Sequence, residues 1–406
     1  MTSALWSLQT PTAGALLGSA GEPPRYILLK QLHGPHHVWR TEDKAPEVWS
    51  ARSLRTDEIV AVKLLPAESQ VADTHLMMEA LPLWRVAGYT DLQPPDTPTK
   101  LSSHPGQKHC IRILDAFALP ESDGKRPTEP DEADQPYACD DAVLALELVG
   151  PSLAVWQNAR PSPFFSLDLA RRLVKQVLLA IDYLHEKVPV ETITHCAAKQ
   201  LEQDAPVPDP QIKLVGFGCA HGNYHEDPEP ERWIQPGSWD SASPEQLLLF
   251  SGYGIMSPVK AIDIWAVGVI TSRLLFNRNL AVQDFDLTLR LAHFTDELDW
   301  WSVSSHVVLS LASLQPEKGW PEYLDRAGHR PRTPNYPFNV PGVTPLPTLR
   351  ERVEAHGKID DPAELDKLVT FLGACWTLDP YTRPSAKKLL QHEWLQGVEE
   401  SGRREG

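Results

Sequence analysis

The feature that most constrains the fold of this chain is a change of hydrophobic pattern at Gly150–Pro151. Before that point the apolar residues come in short, β-branched runs: Tyr26–Leu32 (YILLKQL), Ile59–Leu65 (IVAVKLL) and Val143–Val149 (VLALELV). Runs of this length and type suit strands of a sheet. After it, Leu169, Leu173, Val177, Ile181 and Leu184 recur at intervals of three and four, which predicts a helix over 166–188 with Ser166 placed to cap its start. Residues 259–276 (VKAIDIWAVGVITSRLLF) are apolar nearly all round, as a helix buried on every face must be. Residues 363–378 and 384–395 read as closing helices, and 71–86 as a helix on the strand side, with Leu76, Leu81 and Leu83 towards a core. Strands first and helices second predict an α+β chain of two lobes, a small β-rich one followed by a larger helical one.

Domain limits follow from the same pattern. Residues 1–24 are expected to be a flexible tail, 25–149 the first lobe, 150–398 the second and 399–406 a second tail. Residues 120–141 are acidic, proline-containing and nearly free of apolar side chains, so they predict an exposed insert. A proline-rich insert is expected over 316–347. No internal repeat is present.

Charge and cysteine usage exclude several classes. A net charge of −16 speaks against non-specific binding to nucleic acid or to an anionic membrane, both of which need a basic surface. It fits a basic protein partner better, although an acidic surface also serves solubility. No run of 18 uncharged apolar residues offers a membrane span, and the N-terminus lacks the basic n-region of a signal peptide. Cys110, Cys139, Cys196, Cys219 and Cys375 are scattered, with no C-x-x-C pair. Neither a disulfide framework nor a zinc site is expected, so the cytoplasm or nucleus is the expected location.

Four short segments carry a resemblance. They are V-A-V-K at Val60–Lys63, S-P-E at Ser243–Glu245, A-I-D-I-W-A-V-G at Ala261–Gly268 and D-P-Y-T-R-P at Asp379–Pro384. Together, in this order, they resemble the eukaryotic protein kinases over roughly residues 25–396. Leu146–Leu153 (LELVGPSL), where that family has its hinge, and Ile111–Phe117 (IRILDAF) are most similar to the SR-protein kinases. Asn279–Leu298 looks more like the kinases that fire replication origins. The resemblance implies a bilobal kinase fold. It makes Lys63 the phosphate-binding lysine and Glu79 its helix partner. It also places Gly34, Val48, Ala61, Glu147 and Val149 in the nucleotide pocket.

The same resemblance exposes what is missing. Phosphoryl transfer depends on positioning and on charge stabilisation, and a kinase supplies a base aspartate and two magnesium ligands for it. Where the family has H-x-D-x-K-x-x-N in its catalytic loop, this chain has H-C-A-A-K-Q-L-E at His195–Glu202. His195 and Lys199 match, but the base position is Ala197 and the metal-amide position is Glu202. D-F-G becomes G-F-G, so Gly216 stands where the main magnesium carboxylate should be. Of the glycine-rich cover only Gly34 remains, and His36 and His37 beside it lack the further ligands of a metal site. A general base contributes about 10²–10⁴-fold to rate, and loss of the metal ligand costs at least as much. By contrast Leu83, Ile113, His195 and Phe217 match the family's lobe-joining column, Asp263 its anchor, and Glu245 with Arg383 its buried ion pair.

The reading is a pseudokinase acting as a scaffold or allosteric protein-binding partner, with room for weak ATP binding and little support for magnesium. The alternative is an active atypical Ser/Thr kinase transferring the ATP γ-phosphate to basic, Ser/Arg-type proteins, with Glu202, Asp204 or another nearby carboxylate taking over the metal. The sequence carries no signal for the oligomeric state.

Overall fold

A computed structural model of the chain describes residues 12–19, 21–33, 47–65, 79–80, 82–88, 102–119, 142–160, 162, 164–187, 195–199, 210–217, 242–246, 260–281, 347–357 and 359–397. The first part is a six-stranded antiparallel sheet of strands β1 (Leu16–Leu17), β2 (Tyr26–His33), β3 (Glu47–Ser53), β4 (Ile59–Leu65), β5 (Ile113–Ala118) and β6 (Ala142–Glu147), in the order β1-β2-β3-β4-β6-β5. Period-2 alternation divides β4 between two cores. Val60, Val62 and Leu64 enter one cluster with Leu28, Ala51, Val143 and Ala145. Ala61 and Leu65 enter a larger cluster that continues through the helices.

The sheet curls until strands far apart in its order touch. Tyr26 on β2 stacks on Phe117 of β5 at 6.1 Å, and its hydroxyl donates to Asp115 at 3.2 Å. Arg25 makes two hydrogen bonds to the same carboxylate, at 3.0 and 3.1 Å. The right-handed twist of strands, summed over the sheet, brings its edges together in this way.

One expectation is corrected here. Residues 12–19 and 21–24 are part of the fold and not a loose tail. β1 pairs with β2 through Leu16 opposite Ile27 and Leu17 opposite Tyr26, and Ala15 and Leu17 are buried in the sheet's own core. Two apolar residues are too short a run to show as a strand in the sequence, and β2 alone gives them a template.

The second part is helical. Its elements are α1 (Leu153–Asn158), α2 (Leu167–Lys187), α3 (Lys260–Phe276), α4 (Leu349–Glu354), α5 (Pro362–Cys375) and α6 (Ala386–Leu389). Ser166 caps α2, its hydroxyl accepting the Leu169 N–H at 3.3 Å. α3 is buried on nearly all faces, including the polar Asp263, Thr271 and Ser272. Gly268 lets α3 close on Trp376, since a Cβ there would lie 2.4 Å from the indole Nε1.

The helix expected over 384–395 is broken after α6 into a separate 3-10 turn, Glu393–Leu395. His392 caps that turn: its Nδ1 accepts the Trp394 N–H at 3.2 Å, a local bond in place of a helical one. A two-stranded antiparallel ribbon of β7 (His195–Lys199) and β8 (Gln211–Val215) falls between α2 and α3 in the chain, and a 3-10 turn at Gln107–His109 precedes β5. Residues 120–141 and 316–346 lie outside the described residues. This is the α+β, two-part architecture expected from the sequence.

Candidate functional site

The site lies on β4, at the end of β6 and at the end of β8. On β4, Lys63 is registered between Val48 of β3 and Leu144 of β6. Its Nζ hydrogen-bonds the carboxylate of Glu79, which is almost fully buried and lies among the helical residues 79–80 and 82–86. The pair joins strand to helix, as the resemblance implied. Ala61, one strand repeat earlier, belongs to the large cluster, and Val48, Val149 and Val215 pack against that cluster. Three of the expected pocket residues, Val48, Ala61 and Val149, therefore belong to or pack against the cluster on the Lys63 face of β4.

The other side of the site is built on β8. It ends at Gly216, whose φ of +81° lies in the left-handed region that glycine adopts without cost. Phe217 follows and is fully buried in the large cluster with Leu83 and Ile113. Gly216 has no side chain, so this position offers no carboxylate to a magnesium ion. Protein kinase domains as a class bind ATP and magnesium; here the lysine and its acidic partner fit a phosphate-contacting group, and residue 216 does not fit the metal.

The residues matching the family's catalytic loop occupy β7, a strand. Ala197 is registered opposite Lys213, and His195 and Lys199 opposite Val215 and Gln211. The loop expected over His195–Lys199 is thus corrected to a strand: the apolar β8 offers its open edge and recruits these residues into a ladder. Gly34, His36, His37, Glu202 and Asp204 lie outside the described residues.

Glu147 stands at the end of β6, and here sequence reasoning missed its partner. Its carboxylate accepts from Lys213 Nζ at 2.7 Å and from the Arg112 N–H at 2.9 Å. Both side chains of the ion pair are nearly buried. The available signal was a lysine set inside an otherwise apolar strand, Ile212–Val215.

Below the site the anchors are in place. Arg383 holds Glu245 through two bonds of 2.6 and 3.1 Å, donates to the Ala261 carbonyl, and lies over the Trp265 ring at 5.2 Å. Asp263 is met by His185 Nε2 at 2.8 Å.

A second cluster, away from the cleft, joins His104 to Asp182 and Glu186 of α2. His104 Nε2 lies 3.5 and 3.9 Å from the two carboxylates. The spacing suits a small cation, but the tautomer does not. His104 Nδ1 accepts the Gly106 N–H at 3.0 Å, so the ring proton sits on Nε2, facing the acids. A ligating histidine normally has the reverse arrangement, donating through its other nitrogen. The cluster serves instead to seat the 102–110 segment on α2, where Gly106 approaches so closely that a Cβ would fall 1.8 Å from the Leu179 carbonyl oxygen.

Comparison with known proteins gives a consistent result. A family model described as "Protein kinase domain" matches residues 133–395, more than half of the chain. Cyclin-dependent kinase G-2 of Oryza sativa subsp. japonica is 23% identical over 259 residues, covering 64% of this chain and 31% of its own. Mitogen-activated protein kinase MKC1 of Candida albicans is 29% identical over 199 residues, covering 46% and 31%. Cyclin-dependent kinase 4 of Ovis aries is 24% identical over 292 residues, covering 72% and 76%. The chain spans about a third of the length of the rice and Candida relatives.

Proposed function

Because this chain belongs to the protein kinase domain family, with cyclin-dependent and mitogen-activated kinases among its low-identity relatives, we propose that it is a pseudokinase: a kinase fold that works as a scaffold or allosteric partner of another protein. The observation that carries the reading is Gly216. It occupies the main metal-carboxylate position, in a left-handed backbone, with Phe217 locked into the core behind it. Ala197 at the base position supports the same reading from the sequence. The partner proposed is a basic or Ser/Arg-rich protein, matched to the net charge of −16, met in the cytoplasm or nucleus. The similarity of Leu146–Leu153 to the SR-protein kinases supports that choice of partner. A small lobe to residue 149, a large one from 150 to 398 and an acidic insert at 120–141 are the proposed divisions.

The Lys63–Glu79 pair favours a second reading, in which ATP is still bound weakly or is even used to phosphorylate basic Ser/Arg-type proteins. Thermal-shift measurements with ATP, with and without magnesium, separate the two readings. No magnesium-dependent shift, together with no transfer of radiolabelled phosphate to a Ser/Arg peptide, is the expected result. Transfer that is lost in Lys63→Met would sink the pseudokinase reading.

A further inference from the structure

Three segments meet in one hydrogen-bonded junction beside the site. Residues 109–112 run between β8 and the end of β6 and bond to both. Towards β8, the Ile111 N–H donates to the Leu214 carbonyl at 2.9 Å, and His109 Nδ1 lies 3.2 Å from the Ile212 carbonyl oxygen. Towards β6, the Glu147 N–H donates to the Arg112 carbonyl at 2.9 Å, while the Glu147 carboxylate accepts the Arg112 N–H. Lys213 closes the junction, with Nζ on the Cys110 carbonyl at 3.2 Å and on Glu147 at 2.7 Å.

The position of this junction is what matters. Glu147 is the last residue of β6, and 148–150 lead directly into the helical part. Lys213 lies three residues before Gly216, with Phe217 fixed in the core beyond. The ion pair therefore ties the connection between the two lobes to the strand that presents the Gly-Phe turn. We propose that Lys213 and Glu147 are a strut, built from protein groups alone, that sets the position of the Gly216–Phe217 turn against the hinge. The side-chain pair ties the strand that carries the turn to the hinge through protein groups only. The cleft wall then keeps its shape with or without nucleotide, as a scaffold needs. The inference deepens the pseudokinase reading and rests on it for calling 146–153 a hinge.

The test uses the full chain with Lys213→Glu, Glu147→Lys and the double exchange, read by amide hydrogen exchange. Each single change is expected to speed exchange over 142–150 and 211–217 by about tenfold or more, leaving 362–375 unchanged, because a local tie has been cut. The double exchange, which restores the pair in reverse, is expected to return both segments to within about threefold of the natural chain. Singles that stay within about twofold, an equal rise over 362–375, or a double that does not recover would each overturn the strut. If the reversals fail to fold, Lys213→Arg against Lys213→Gln decides it. Faster exchange in both segments for Gln alone supports the strut, and equal exchange in the two variants refutes it. Phosphate transfer by the natural chain would remove the pseudokinase reading while leaving this exchange result to stand on its own.

Discussion

Single residues carry the clearest contrast in this molecule. Arg383 and Glu245 are fully buried, doubly bonded to each other, and further tied through Arg383 to two backbone carbonyls, of Ala261 and Thr377. Removing one partner leaves the other buried without its counter-charge. Arg383→Met is therefore expected to cost about 3–5 kcal/mol of stability, measured by urea denaturation. A loss below about 1 kcal/mol would show that the pair contributes no more than an exposed one. Gly216 is the opposite case, the position where the proposed pseudokinase reading puts a missing carboxylate. Returning a carboxylate there with Gly216→Asp places a non-glycine residue at positive φ, at a cost of about 1–3 kcal/mol. It is also expected to create a magnesium-dependent thermal shift with ATP that exceeds the natural chain's. Equal shifts with and without magnesium would mean that the missing carboxylate is not what limits metal binding.

At the scale of elements, two contacts extend the expected lobes. Leu17 of β1 and Ala15 just before it join the sheet's own core, so residues first read as a tail supply core. Leu17→Ala is expected to cost about 2–5 kcal/mol, as a core truncation does, whereas a tail residue would cost close to nothing. The second contact joins α2 to the sheet side. The Tyr183 hydroxyl donates to the Val86 carbonyl at 2.8 Å. Burial raises the phenol's pKa from 10.0 to about 12. The sign follows from linkage: with the folded value above the unfolded one, the stability it contributes is complete below pH 10 and is lost as pH rises from about 10 to about 12. Denaturation midpoints measured across that window should fall in the natural chain and fall less in Tyr183→Phe. Parallel curves would show that other groups govern the alkaline limb.

At the scale of the whole molecule, the larger cluster runs from Ala61, Leu83 and Ile113 through Phe217 to α2, α3 and α5, so both lobes share one core. A shared core predicts a single unfolding transition in calorimetry, shifted alike by Leu17→Ala in the first lobe and Arg383→Met in the second. Two separable transitions would contradict it. Much of this was legible beforehand. The switch from β-branched runs to three-and-four spacing marked the lobes, the all-apolar run marked α3, and the motif residues marked Lys63, Glu79, Glu245 and Arg383. Those signals are local: side-chain periodicity and residue identity reside in neighbouring positions. Local information also supplied the expectation that Ala197 and Gly216 stand where the resembled family has carboxylates, because the identity of a residue can be read without a fold. It did not show β1, the strand at His195–Lys199, or the tie of Lys213 to Glu147. Each of those depends on a partner far away in the chain. A two-residue strand forms only where β2 offers an edge, and a lysine in an apolar strand has no assignable role until the fold sets a carboxylate 2.7 Å from it. The sequence by itself determined which chemistry could be present. Tertiary structure alone decided which distant groups meet, because pairing across the chain is settled by the packing of the whole.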